Sequence, residues 1–483
     1  MLHNMDFQER INEQIDENRS FIETDPYRLG YHLMPPVGLL NDPNGLIQFQ
    51  GVFHVFFQWN PFETKHGRKF WGHYTSEDLI HWTLEPVALM PDSWYDKNGC
   101  YSGSAIEHEG TMYLFYTGNV KDENDVRSSY QSLAISEDGM NFEKKGPVLH
   151  LPEGYTPHFR DPKVWKEEDH WLMVLGAQND QEQGEAVLAR SPNLMDWEFI
   201  GPIAGSGMNS LGDFGYMWEC PDLFQLDGTD VLIVCPQGLK AQGDDYQNLY
   251  QAGYFLGDFD PTEAEYTHGS FEEFDRGFDF YAPQTMLDEK GRRLLIGWMG
   301  ITDDAEQNQP TIDSNWIHAL TIPRVLEIKD GKLIQTAVPE LQKLRGRSAE
   351  YEVVLEAGDA FSEEINACSE ILIDFKNTAA GKVELEIRND IRISYKDNRF
   401  VVERYQFSGT EREQRAFALD QLTGLQIFLD HSSMEIFING GEEVFTCRYF
   451  PDPEDNTIAL QAEKKMTLDI HHWPLNGGGS ITF

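Results

Sequence analysis

The chain has 483 residues, more than one hydrophobic core ordinarily fills, so two domains are expected. Its 81 acidic against 38 basic residues give a formal net charge of -43, which repels nucleic acid and anionic membranes and disfavours both as partners. Aromatic residues make up 12% of the chain, enough to build a core and to exclude a disordered polymer.

The opening segment, residues 1–30, reads "MLHNMDFQERINEQIDENRSFIE" and onward. It carries acids where a secretory signal carries a basic end and an apolar stretch, so a cytoplasmic protein is expected. A short amphipathic helix suits its pattern. No later segment offers about 18 uninterrupted apolar residues, so no membrane-spanning helix is expected. The cysteines Cys100, Cys220, Cys235, Cys368 and Cys447 are odd in number and lack CxxC spacing. Reduced thiols follow, with neither a disulfide framework nor a zinc site. The acidic surface reads first as a solubility device and second as adaptation to salt.

From residue 31 to 337 one short apolar run keeps returning: "HVFFQWN" at Phe56, "YLFYTGN" at Phe115, "LMVLGAQ" at Val174, "LIVCPQG" at Val234 and "LLIGWMG" at Ile296. The steps are about 59, 59, 60 and 62 residues, one unit copied five times. A second series, "SEDLIHW" at Ser76, "SEDGMNF" at Ser136 and "SPNLMDW" at Ser191, returns at a similar interval and leads each time from a polar turn to an aromatic residue. Within each unit the strands are short and rich in β-branched and aromatic residues, and helical periodicity is scarce. About 60 residues suits a four-stranded blade, so the chain reads as an all-β protein with a five-bladed β-propeller. An ordinary sandwich with accidental spacing is the competing fold.

After "LTIPRVLEI" the period is lost. Residues 338–352 read as a linker with a short helix. Residues 353–483 then alternate apolar and polar side chains in "KVELEIR", "RFVVERYQF" and "MEIFING", the pattern of sheets with one wet face. A C-terminal β-sandwich is expected, with the task of supporting the propeller or bordering the entrance to its site.

A propeller gathers the first strands of its blades around one channel, so a site should draw residues from several units at one end. Three carboxylates fit that position, each near a proline: Asp42 in "NDPNG", Asp161 in "FRDPKV" and Glu219 in "WECPDLF". Asp-Pro alone also marks ordinary turns, as at Asp25, Asp260 and Asp452. Arg160 would hold Asp161 ionised if both side chains turn the same way. Tyr216, Met217 and Trp218 would raise the pKa of Glu219 and suit it to a general acid, although Trp218 equally suits a core. Asp42, between Asn41 and Asn44, suits an oriented nucleophile.

Taken together, "NDPNG", "FHVFFQWNP", "WGHYTSEDLIHW", "YSGSA", "FRDPKV" and "WECPDLF" resemble the β-fructofuranosidase family, glycoside hydrolase family 32, from about His32 to the "HSSMEIFING" stretch at His431. Other stretches, such as "GFDFYAPQTM", look most like its sucrose-6-phosphate hydrolase branch. The resemblance implies a five-bladed propeller followed by a sandwich. It implies Asp42 as nucleophile, Glu219 as acid/base and Asp161 as transition-state stabiliser. Asn41, Gln58, Tyr101, Ser102 and Arg160 match positions around the fructosyl unit.

The implied reaction is retaining hydrolysis of sucrose 6-phosphate, sucrose or short fructo-oligosaccharides, with the two acting carboxyls roughly 5 to 5.5 Å apart. It needs no metal or organic cofactor. Fructosyl transfer and a non-catalytic sugar-binding propeller are the alternatives. The chain departs from many invertases at Leu39 and Leu40, which would form an aliphatic wall, and at His66, where many place a tryptophan. Lys65, Arg68 and Lys69 surround His66. This basic run is read either as a receptor for a substrate phosphate or as a solvated loop.

Overall fold

The computed structural model describes residues 7–303, 305–376, 381–477 and 481–482. Strands dominate it, and seven sheets divide into five around a ring and two face to face. The five recurring apolar runs are all second strands of their blades: Val52–Asn60, Thr111–Lys121, His170–Asn179, Thr229–Gln237 and Arg293–Met299. Each is sandwiched between neighbouring strands, which is why it is nearly continuously apolar. The innermost strands are Gly38–Phe49, Gly99–His108, Tyr155–Glu167, Met217–Leu226 and Tyr281–Leu287. Each touches the next, and the first touches the fifth, so the ring closes. A parallel pairing of Trp316–Ile317 with Gly38–Leu39 ties the last unit to the first.

The serine series has a local cause. The hydroxyl oxygens of Ser76, Ser136 and Ser191 accept backbone N–H bonds from Leu79, Gly139 and Asn193 at 2.9 to 3.2 Å, turning the chain out of each third strand.

The acidic opening forms helices Phe7–Glu17 and Arg19–Thr24, and its first six residues lie outside the described ones. Ile11 is buried in the core of the propeller, so this segment is packed against blade one. The expected linking helix is a 3₁₀ turn, Pro339–Leu344. The first sandwich strand, Ala349–Leu355, begins inside the stretch read as linker, because Ala349 already pairs with His472.

The sandwich consists of two six-stranded antiparallel sheets. Its alternation is visible in Val383–Ile387, where every second side chain is buried. Between the two units lies a fully buried charge cluster. His32 stands 2.8 Å from Asp430 and 3.1 Å from Glu435, while Arg324 reaches Glu435 at 2.6 Å and Asp275 at 3.0 Å. Buried charges persist only when paired in this way. The five cysteines are free thiols. Among the described residues no helix is long and apolar enough to cross a membrane.

Candidate active site

Every innermost strand carries a β-bulge at the same level. The pairing shifts between Leu40 and Pro43, between Tyr101 and Gly103, opposite Val174 and Gly176, between Glu219 and Asp222, and between Tyr281 and Gln284. A bulge frees a residue from the ladder and re-aims its side chain. Proline, which has no N–H to donate, fits such a gap, and Pro43, Pro162, Pro221 and Pro283 all stand there. Asp161, Cys220 and Ala282, each just before its proline, adopt left-handed backbone angles of 64°, 48° and 47°. For non-glycine residues this conformation costs on the order of 1–3 kcal/mol and clusters at functional sites.

The bulges present Asn41–Asp42, Tyr101–Ser102, Arg160–Asp161, Glu219–Cys220 and Tyr281–Ala282 around one channel end. The first member of every pair lines a cavity of about 650 Å³, and so do Asp42 and Asp161. The three carboxylates therefore meet in one space.

Asp42 sits in a hydrogen-bond circuit of fixed polarity. Lys69 Nζ, a pure donor, gives a bond to Asn41 Oδ1 at 2.6 Å, which sets the orientation of the Asn41 amide. Asn41 Nδ2 then donates to Asp42 Oδ1 at 3.0 Å and to Gln58 Oε1 at 3.3 Å. Gln58 Nε2 donates to Ser102 Oγ, and Ser102 donates to Asp42 Oδ2 at 2.5 Å. Burial raises the pKa of Asp42, the bond from Ser102 opposes that rise, and the charge of Glu219 adds to it. Burial holds Lys69 down at about 7 against the pull of Asp42 and Glu306.

Glu219 differs from expectation. Trp218 is fully buried, stacks on Phe255 and donates its indole N–H to Phe214, so it belongs to the core of the blade. The partners of Glu219 are polar. Arg160 donates to Oε1 from Nε at 3.0 Å and from Nη2 at 2.5 Å, and Oε2 accepts from Gln237 at 2.6 Å and from Tyr281 at 2.7 Å. Burial alone would raise its pKa, but the charge of Arg160 and these bonds bring it below the usual range.

Asp161, expected to be the permanent anion, has the opposite bias. Burial lifts its pKa to about 7 despite Arg160, and the charges of Glu219 and Asp42 reinforce the rise. The Cys220 N–H at 3.0 Å is its backbone donor.

The remaining predicted residues divide clearly. Gln58, Tyr101, Arg160, His66, Arg68 and Lys69 line the cavity, and Ser102 supports Asp42 from its edge. Leu39 and Leu40 have no exposed surface and are not among the lining residues. Both are still paired in the ladder, with Asn60 and Trp59, and the bulge begins only after them. Lys65 is also absent from the lining, and Lys69 is buried beside Asn41 instead of reaching outward. His66 points to Glu306 at 3.0 Å. Sequence reasoning missed Tyr281, Gln237, Trp298 and Arg127, all of which line the cavity. Among the described residues the lining runs no further along the chain than Thr302, so it is drawn from the propeller.

Two family models match the chain: the N-terminal domain of glycosyl hydrolases family 32 over residues 32–337 and the C-terminal domain of that family over residues 340–474. The chain belongs to glycosyl hydrolase family 32. Among its relatives is a sucrose-6-phosphate hydrolase of Bacillus subtilis, 49% identical over 476 residues that cover 98% of this chain and 99% of the relative. The sucrose-6-phosphate hydrolase of Lactobacillus gasseri has the same fold, with a TM-score of 0.87 at 33% identity and 96% of each chain covered. A mutant Bombyx mori GH32 beta-fructofuranosidase in complex with sucrose aligns at a TM-score of 0.86 and 32% identity over the whole of both chains. Membership in family 32 makes this chain a glycoside hydrolase, built as a propeller with a sandwich behind it.

Proposed function

We propose that the chain hydrolyses terminal β-fructofuranosides by double displacement, with sucrose 6-phosphate as its best substrate and sucrose second. The observation that carries the roles is the contrast between two acids on one cavity: Asp42 is held by donors to both oxygens, whereas Glu219 is tethered to a tyrosine, a glutamine and an arginine. The names of the relatives support the substrate.

In the first step Asp42 attacks the anomeric carbon of the fructosyl unit while Glu219 gives its proton to the glycosidic oxygen. The bond to the glucose unit breaks, and an ester joins fructose to Asp42. Glu219, now ionised, takes a proton from water, and the hydroxide displaces Asp42 and releases fructose. In the free enzyme burial biases the proton of this carboxylate group toward Asp161, while Arg160 and its hydrogen bonds bias Glu219 toward the ionised form. Fructosyl hydroxyls donating to Asp161 stabilise its anion and drive that proton toward Glu219. Substrate entry thereby arms the acid.

Catalysis is assigned to residues 31–337, since all lining residues fall there, and the sandwich is assigned a supporting role through the buried charge cluster. We assign the activity to the cytoplasm: a dianionic ester formed there cannot escape through a hydrocarbon layer, and five free thiols suit a reducing compartment. Comparing kcat/KM for sucrose 6-phosphate and sucrose tests the reading. The phosphorylated sugar should be preferred; release of fructose from neither sugar would refute the proposal.

A further inference from the structure

We infer that Arg127, with Lys121 opposite it, receives the phosphate of the departing glucose unit, a specificity site that rests on the substrate reading above. Both residues line the cavity. They face one another as the last cross-strand pair of the hairpin formed by Thr111–Lys121 and Arg127–Ser136. Like charges directly opposite are unfavourable. An anion bridging them turns that cost into attraction.

The two cations are also available. Arg127 has no anionic partner among the described residues, in a chain with 81 acidic ones. Lys121 meets Asp125 at 2.9 Å, but the Asp125 side chain is 77% exposed, and such a surface pair exchanges at little cost. A phosphate dianion bound by a guanidinium and an ammonium gains charge-assisted bonds from both, where only Lys121 now has a carboxylate partner.

Their position fits the leaving group. The bond that breaks lies at Glu219, so the departing sugar must extend from there. Glu219 holds Arg160, and Arg160 Nη1 contacts His158 Nδ1 at 2.9 Å. Arg127, Arg160 and Glu219 line the same cavity, and burial together with the charges of Arg160 and Arg127 lowers His158 to about 4, which leaves that histidine neutral near the two cations. Asn98 accepts the Lys121 backbone N–H at 2.7 Å and also lines the cavity, which holds the end of this strand beside it. Arg68 and Lys69 are further cavity cations without an ion pair among the described residues, but Lys69 is buried against Asn41 and the Arg68 loop leads to it, on the side of Asp42.

The test is the ratio of kcat/KM for sucrose 6-phosphate to that for sucrose in the wild-type protein and in Arg127→Gln, Lys121→Gln and Arg68→Gln. Arg127→Gln should lower this ratio by about 10- to 100-fold, the worth of a charge-assisted bond, chiefly through KM. Lys121→Gln should lower it less, and Arg127→Lys should restore part of it. Glucose 6-phosphate should inhibit the wild type competitively and Arg127→Gln much more weakly. A wild-type ratio in Arg127→Gln, or its loss in Arg68→Gln alone, overturns the assignment while leaving the substrate reading intact. A wild-type enzyme indifferent to the phosphate overturns the substrate reading and this site with it.

Discussion

Arg160 clasps Glu219 across the boundary between blades three and four, with two bonds to Oε1 at 3.0 and 2.5 Å, and not the aspartate next to it in sequence. The consequence is a reversal of proton affinity: the acid beside the arginine in the chain is raised, and the acid opposite it is lowered. Burial raises Asp161, while the charge and bonds of Arg160 across the blade boundary lower Glu219.

This pairing makes a prediction about pH. Activity requires a proton on the carboxylate group, and with Asp161 near 7 that proton is lost as pH rises through about 7, so kcat/KM should fall above it. Arg160→Gln removes the charge that lowers both acids. Its alkaline limb should therefore move to higher pH, with kcat/KM reduced about 10- to 100-fold by the lost contact. A profile with an unmoved alkaline limb would show that Arg160 does not set the proton balance.

The contact itself depends on a glycine. Gly176 pairs with Arg160 in the ladder, and a Cβ there would stand 2.2 Å from the Trp218 carbonyl oxygen and 3.3 Å from Glu219 Cα. Gly176→Ala must push blades three and four apart, at a cost of about 1–3 kcal/mol or more. Thermal unfolding should show the loss, and kcat should fall with it because Glu219 shifts relative to Asp42. Full activity and an unchanged Tm would mean that the blades yield freely at this seam.

The domain junction gives a separate pH prediction. Burial pushes His32 down, but its bonds to Asp430 and Glu435 outweigh that and hold it at about 9. A histidine raised in the folded state stabilises fully below its unfolded value of about 6.5, and that contribution is lost as pH rises through about 9. Scanning calorimetry between pH 6.5 and 10 should show Tm falling, with a smaller fall in His32→Gln. Equal slopes in both proteins would remove His32 from the account.

Much of this architecture was legible because a repeat constrains every copy. The recurring apolar runs mark second strands, which need apolar side chains on both faces, and the three acids stand near prolines because a residue without an N–H fits the gap that a bulge leaves in the ladder. The same rule would have located Tyr281: "YAP" repeats the position of "RDP" and "ECP" one unit later. What the chain order hides is lateral contact. Arg160 and Asp161 are neighbours in sequence, but their partners are chosen by the adjoining blade. Leu39 and Leu40 belong to the core because the bulge starts one residue after them, a matter of register that residue type does not encode.

Removal of the proposed nucleophile is a simple check on the circuit around Asp42. Asp42→Asn keeps the shape and loses the charge, and kcat should drop by at least about a thousandfold. Lys69→Met should act through the Asn41 amide, whose orientation it fixes, and lower kcat more than it raises KM. If Lys69→Met changed only KM, the circuit would be a binding feature alone.

Following the anomeric form of newly released fructose by NMR, before mutarotation mixes the forms, is the most direct test of double displacement at Asp42 and Glu219. The first product should be β-fructofuranose, the configuration of the substrate. An initial excess of the α form would mean a single displacement by water and would contradict the covalent step at Asp42.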